Sequence, residues 1–71
     1  MEAKTRRNNF TKKDILVLEM ISKGWTNPEI AQYTNATTSN AARHISQLME
    51  KTGTVNRAHL VRWGFENNYL R

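Results

Sequence analysis

Apolar residues along the chain recur at helical spacing, and nowhere do they alternate as in a half-buried strand. The clearest case is the run Thr37-Thr38-Ser39-Asn40-Ala41-Ala42-Arg43-His44-Ile45-Ser46-Gln47-Leu48-Met49. Ala41, Ile45, Leu48 and Met49 fall at i, i+4, i+7 and i+8, one face of a helix, while Ser39, Asn40, Arg43, Ser46 and Gln47 point the other way. Upstream, Phe10-Thr11-Lys12-Lys13-Asp14-Ile15 opens a first helix. Thr11 can cap it, Asp14 sits at the third helical position near the positive helix end, and Phe10 can staple onto Ile15. That helix runs to about Lys23 with Ile15, Leu18 and Ile21 turned inward and Val17 a further candidate; Gly24 ends it in a left-handed cap. Trp25 is read as the roof of the core. Thr26-Asn27-Pro28-Glu29 is a capping box with proline in the first turn, where its missing amide costs nothing. It starts a short second helix, ending near Tyr33 or Thr34, that turns Ile30 and Ala31 inward. Asn35-Ala36 makes the turn, Thr37 caps the third helix, and Lys51-Thr52-Gly53 ends it. Asn56 caps a fourth helix, with Val55 stapled onto Leu60. Leu60, Val61, Gly64 and Phe65 lie on one side of it, Ala58, Arg62 and Glu66 on the other, and Trp63 between. Gly64 inside a helix costs roughly 1 kcal/mol against alanine, so a close backbone approach is expected, to its own core or to a second copy. No internal repeat is present. The pattern predicts an all-α, four-helix domain.

Length and charge narrow the function. With 71 residues the chain is one domain, near the lower limit for a core without staples. It has no cysteine and only two histidines, His44 and His59, so disulfides and thiolate sites are excluded and no metal site or cofactor is expected. No apolar run reaches the ~18 residues of a membrane span, and the N-terminus lacks a secretory signal. A cytoplasmic location is expected. Eleven Lys and Arg against six Asp and Glu leave a net charge of +5, so a polyanion is the natural partner. A membrane surface would call for a helix with a basic face and a large aromatic or leucine face, which no segment shows. Nucleic acid is the better-supported partner. Residues 1–9, with Lys4, Arg6 and Arg7, read as a flexible basic arm, either a solvated tail or a source of phosphate contacts. Residues 10–71 are the domain proper. An enzyme is not expected, because the carboxylates are scattered and no nucleophile has a base beside it.

A short helix, a tight turn and a longer helix with a polar outer face form a helix-turn-helix pattern. The residues that carry it follow a specific order: Phe10-Thr11, Val17-Leu18, Gly24, Thr26-Asn27, Glu29-Ile30-Ala31, His44-Ile45, Met49, Lys51, Gly53, Asn56-Arg57 and Leu60-Val61. Together they resemble the DNA-binding domain of the LuxR/GerE family of bacterial transcription regulators, without a gap from residue 10 to about residue 70. Gly24 to Ala31 is the most specific piece. The resemblance implies a four-helix LuxR/GerE-type helix-turn-helix domain whose third helix, residues 37–51, enters the major groove of double-stranded DNA. It implies a homodimer paired through the fourth helix. It is to the stand-alone, GerE-like form, in which control would come from concentration, DNA affinity or a protein partner. The family's base-contacting positions correspond to Ala42, Arg43 and Ser46, with Gln47 added by geometry, and Thr38, Ser39 and Asn40 match positions lying against phosphates. Where the family has Thr-Val-Lys, this chain has Asn40-Ala41-Ala42, so a lysine is absent at Ala42.

Residue chemistry sharpens the assignments. Arg43 can hold O6 and N7 of a guanine in a bidentate pair, worth roughly 1–3 kcal/mol of discrimination; otherwise it pairs with Glu50 or stays free. His44 donates to a phosphate or fills the helix edge. Arg57 touches phosphate or anchors Glu29. Lys12 and Lys13 reach flanking backbone or are solvated. Ala58, Val61, Arg62 and Trp63 are the candidate dimer face, against an intramolecular role for the tryptophan. Two functions remain. One is a sequence-specific regulator, with RNA polymerase contact or occlusion as its output. The other, motivated by the missing lysine at Ala42, is a protein-interaction module that binds and inhibits a host or LuxR-type regulator.

Overall fold

The computed structural model describes residues 10–71; the basic arm expected over residues 1–9 lies outside the described residues. Among the described residues there are four helices and no strand: α1 (Lys12–Ser22), α2 (Asn27–Tyr33), α3 (Thr38–Thr52) and α4 (Arg57–Glu66). Each start is set by the side chain the sequence places there. The hydroxyls of Thr11, Thr26 and Thr37 accept from the amides of Asp14, Glu29 and Asn40. Asp14 and Glu29 reciprocate to the capping amides, completing two capping boxes. Gly24 and Gly53 end α1 and α3 at φ 87° and 72°, and Asn35 makes the α2–α3 turn at φ 59°, conformations that few other side chains tolerate.

Four helices close over one core. α1 gives it Val17, Leu18, Met20 and Ile21, α2 gives Ile30 and Ala31, and α3 gives Ala41, Ile45 and Leu48. Leu60 of α4 and Leu70 of the tail complete it. α3 lies closest to α2 and then α4, and α1 packs on α4. Trp25 is half-buried against this core, as a roof should be, and its ring meets Tyr33 edge-on at 5.5 Å.

Three packing expectations are corrected. Ile15 is only half-buried, and the inward stripe of α1 is Asp14-Val17-Leu18-Ile21 with Met20 at its edge. That stripe keeps i, i+3, i+4, i+7 spacing, whereas Ile15-Leu18-Ile21 drifts round the helix. Val55 is 79% exposed and staples nothing. The entry to α4 is held instead by Asn56 and His59: the His59 amide donates to Asn56 Oδ1 at 2.8 Å, and His59 Nδ1 accepts from the Val55 amide at 3.2 Å. Phe65 is 49% exposed, because Leu60 and Gly64 form the inward row of α4. The close approach expected at Gly64 is to its own core. A Cβ there would lie 2.7 Å from Leu70 Cδ1 and 3.1 Å from Leu18 Cδ2, and the amides of Tyr69 and Leu70 both donate to the Gly64 carbonyl.

Candidate nucleic-acid interface

At about 100° per residue, Ser39, Arg43, Ser46 and Gln47 share one arc of α3, with Asn40 at its edge. All five are exposed, and Ala41, Ile45 and Leu48 are buried on the opposite side. Thr38 is exposed in the first turn, which holds no carboxylate. The positive end of the helix therefore stays available to anions. Ala42 is half-buried on one flank of the arc and offers only a methyl group, suited to a thymine methyl rather than a phosphate. Arg43 makes no hydrogen bond or ion pair with any described residue, so the pairing with Glu50 is not formed.

The fold brings α1 to this arc. A cleft of about 410 Å³ opens between the start of α1, the α2–α3 turn and α3, lined among others by Thr11, Lys13, Thr34, Asn40, Arg43 and Gln47. Lys13 thus shares a concavity with Arg43, thirty residues on. Lys12, also exposed, does not line it.

Two residues assigned to phosphate are otherwise engaged. His44 turns to α1: its Nε2 lies 2.6 Å from Asp14 Oδ1. Arg57 donates to Asn27 Oδ1 at 2.6 Å and to the Trp25 carbonyl at 2.8 Å, so it pins the start of α2 to α4. The expected anchoring of Glu29 by Arg57 is not formed: Asn27 is the side-chain partner of Arg57, and Glu29 accepts from the capping amide of Thr26.

The residue that sequence reasoning undervalued is Asp14. It is 5% exposed and accepts from the Thr11 amide, His44 Nε2 and Lys51 Nζ. Burial pushes its carboxyl up, but the hydrogen bonds from His44, Lys51 and Thr11, with the Lys51 charge, outweigh that and hold it below the ordinary carboxylate range. Its place on the i, i+3, i+4, i+7 row with Val17, Leu18 and Ile21 was a signal that could have found it.

On α4, Ala58, Val61, Arg62 and Phe65 form an i, i+3, i+4, i+7 stripe, with Val61 half-buried and the others exposed. Trp63 is off this stripe. Its ring stacks on Phe10 at 5.3 Å and on Tyr69 at 5.4 Å, so the intramolecular role open to it in the sequence is filled. Arg62 pairs with Glu66 in an exposed i, i+4 bridge. A separate concavity, lined by Trp25, Glu29, Gln32 and Tyr33, leaves Tyr33 63% exposed. Among the described residues no helix is long and apolar enough to cross a membrane, and no group of three or more acidic, histidine or cysteine side chains could hold a metal.

Comparison with known proteins adds an independent observation. The family model for bacterial regulatory proteins of the luxR family, GerE, matches residues 8–64. The chain is 37% identical over 62 residues to a probable transcriptional regulator ycf29 of Cyanophora paradoxa, covering 87% of this chain and 30% of that protein. It is 35% identical over 61 residues to a probable transcriptional regulator ycf29 of Porphyra purpurea, covering 86% and 29%. It is 34% identical over 64 residues to the transcriptional activator protein EchR of Dickeya chrysanthemi, covering 90% and 26%. The chain thus spans less than a third of the length of these relatives. No solved structure matches it.

Proposed function

The chain belongs to the luxR family of bacterial regulatory proteins, and from that premise we propose that residues 10–71 bind duplex DNA sequence-specifically by placing α3 in the major groove. The observation that carries this reading is Arg43: exposed, without a partner among the described residues, at the centre of a polar arc and in one cleft with Lys13. Arginine without a local partner has its planar fork ready for a guanine edge. Gln47, one turn on, can take an adenine, and Ser46 and Ala42 sit beside them for shorter contacts. Thr38, Ser39 and Asn40 at the start of α3, with Lys13 across the cleft, supply phosphate contacts that fix register. Lys12 adds charge at the rim. Glu50, exposed on the same arc at its far end, limits the contact to the first three turns. Lys4, Arg6 and Arg7 add sequence-independent phosphate affinity.

The stripe Ala58-Val61-Arg62-Phe65 serves to pair two copies as a homodimer, which would present two α3 helices to two half-sites. Bound there, the protein would act on transcription by contact with RNA polymerase or by occlusion. Selection of bound duplexes from a random pool tests the whole reading. A motif with repeated half-sites is the expected result, and Arg43→Ala should relax it at one position by roughly 1–3 kcal/mol. On random DNA, log affinity should fall with log salt by several units if a dimer neutralises ~6–10 phosphates. Replacing Lys4, Arg6 and Arg7 together by alanine should weaken binding evenly across sequences.

A second reading is favoured by the concavity at Trp25 and Tyr33, since an exposed aromatic in a groove suits a protein partner. There the domain would bind and inhibit another regulator. Loss of Tyr33→Ala binding to that regulator, with no motif recovered from the DNA pool, is the outcome that would favour it.

A further inference from the structure

The Asp14 carboxylate receives His44 Nε2 at 2.6 Å and Lys51 Nζ at 2.9 Å, both from α3. A carboxylate only accepts, so both α3 groups donate. His44 and Lys51 are seven residues apart, about two turns along one stripe of the helix. Side chains on a helix lean toward its N-terminus, so the long Lys51 stem reaches back and the two meet at one point. Bonds from places two turns apart resist rotation of α3 about its axis as well as sliding along it, whereas a single bond would act as a pivot. Asp14 is itself fixed, because its backbone amide and its carboxylate complete the α1 capping box with Thr11. α3 packs chiefly on α2 and α4 rather than on α1, and it does so through Ala41, Ile45 and Leu48, whose burial is non-directional.

We propose that Asp14 is a positioning residue for base readout: it sets the roll of α3, and through it the aim of Arg43 and Gln47, without touching nucleic acid. The inference rests on the DNA-reading function above and deepens it. His44 lies between Arg43 and Gln47 in sequence and on the flank of their arc. A change in its direction is therefore a change in theirs.

The test uses the full chain, at a temperature where every variant is folded, with the selected motif and a scrambled duplex as probes. Asp14→Asn and Lys51→Met should lower the ratio of motif to scrambled affinity by about tenfold, the discrimination of one bidentate base contact. Binding to the scrambled duplex should change by no more than about twofold for Asp14→Asn, since phosphate anchoring survives. His44→Gln, which keeps a donor toward Asp14, should retain most of the ratio, and His44→Ala should not. Ile45→Val, which lowers stability without touching the tie, should leave the ratio unchanged. Residual dipolar couplings of the DNA-free protein should report an altered angle between α1 and α3 in Asp14→Asn and not in Ile45→Val. A ratio that follows melting temperature alone across these variants, or an unaltered angle, overturns the proposal. A wild-type chain with no preferred motif instead sinks the DNA reading and the readout half of this inference, while the couplings still decide whether Asp14 sets the roll.

Discussion

Asp14 contributes a pH-dependent share of the domain's stability at the acid end. Its folded carboxyl is held below the ordinary value of 3.8 by donors that outweigh its burial. In the unfolded chain the group takes a proton at its ordinary value, so the unfolded state binds protons first as pH falls. The stabilisation from Asp14 is complete above about 3.8 and is lost as pH drops through the depressed folded value. Urea midpoints measured from about pH 6 to about pH 2.5 should therefore fall at the acid end, and Asp14→Asn should flatten that fall. Arg57 separates structure from DNA contact at the same scale. Its two bonds, to Asn27 and to the Trp25 carbonyl, leave the partly buried guanidinium little reach for phosphate. Arg57→Ala should lower stability by about 1.5–3 kcal/mol, the worth of a charged hydrogen bond, and leave the salt slope of DNA binding unchanged. A slope lower by about one would return Arg57 to the interface.

At the scale of the element, α4 divides its faces between core and surface. Gly64 lets Leu70 fold back onto the helix, and alanine there would press on Leu70 and Leu18. Overpacking of this kind costs about 1–3 kcal/mol, against the roughly 1 kcal/mol of helix propensity gained. Gly64→Ala should thus destabilise modestly. The amides of Tyr69 and Leu70, which donate to Gly64, should lose hydrogen-exchange protection before the rest. The outer stripe predicts differently. Phe65 is half exposed and packs no core, so Phe65→Glu should leave the melting temperature nearly unchanged while weakening self-association in sedimentation equilibrium. Unchanged association would place the pairing surface elsewhere. α3 shows the same division of faces, and there the outward row was readable in advance because the apolar spacing of Ala41, Ile45 and Leu48 leaves one direction for Arg43 and Gln47.

For the molecule as a whole, charge and shape act together. Of the carboxylates in the described residues, Asp14 is buried under Lys51 and Glu66 faces Arg62. Lys12, Lys13 and Arg43 are exposed on α1 and α3. Lys13 and Arg43 reach one cleft only because α1 crosses beside α3. Lys13→Ala should lower affinity evenly across sequences and reduce the salt slope by about one, while Lys12→Ala has the smaller effect. Equal effects would mean that the cleft plays no part.

Helix number, helix starts and the outward face of α3 were determined by local order alone. Thr11, Thr26, Thr37 and Asn56 cap within three residues of themselves, and a period near 3.6 assigns each side chain a direction with no knowledge of the neighbours. Who meets whom across the fold was decided only by tertiary structure. Asp14 with His44 and Lys51, Arg57 with Asn27, Trp63 with Phe10 and Tyr69, and Gly64 under Leu70 are pairings between elements. The first two, and Trp63 with Phe10, join residues at least thirty positions apart, whereas Trp63 with Tyr69 and Gly64 with Leu70 are each six apart. The burial of Asp14 shows why such pairings escape a reading along the chain. A carboxylate is expected in solvent, and it is stable in the interior only because a histidine and a lysine from another helix arrive at the same point.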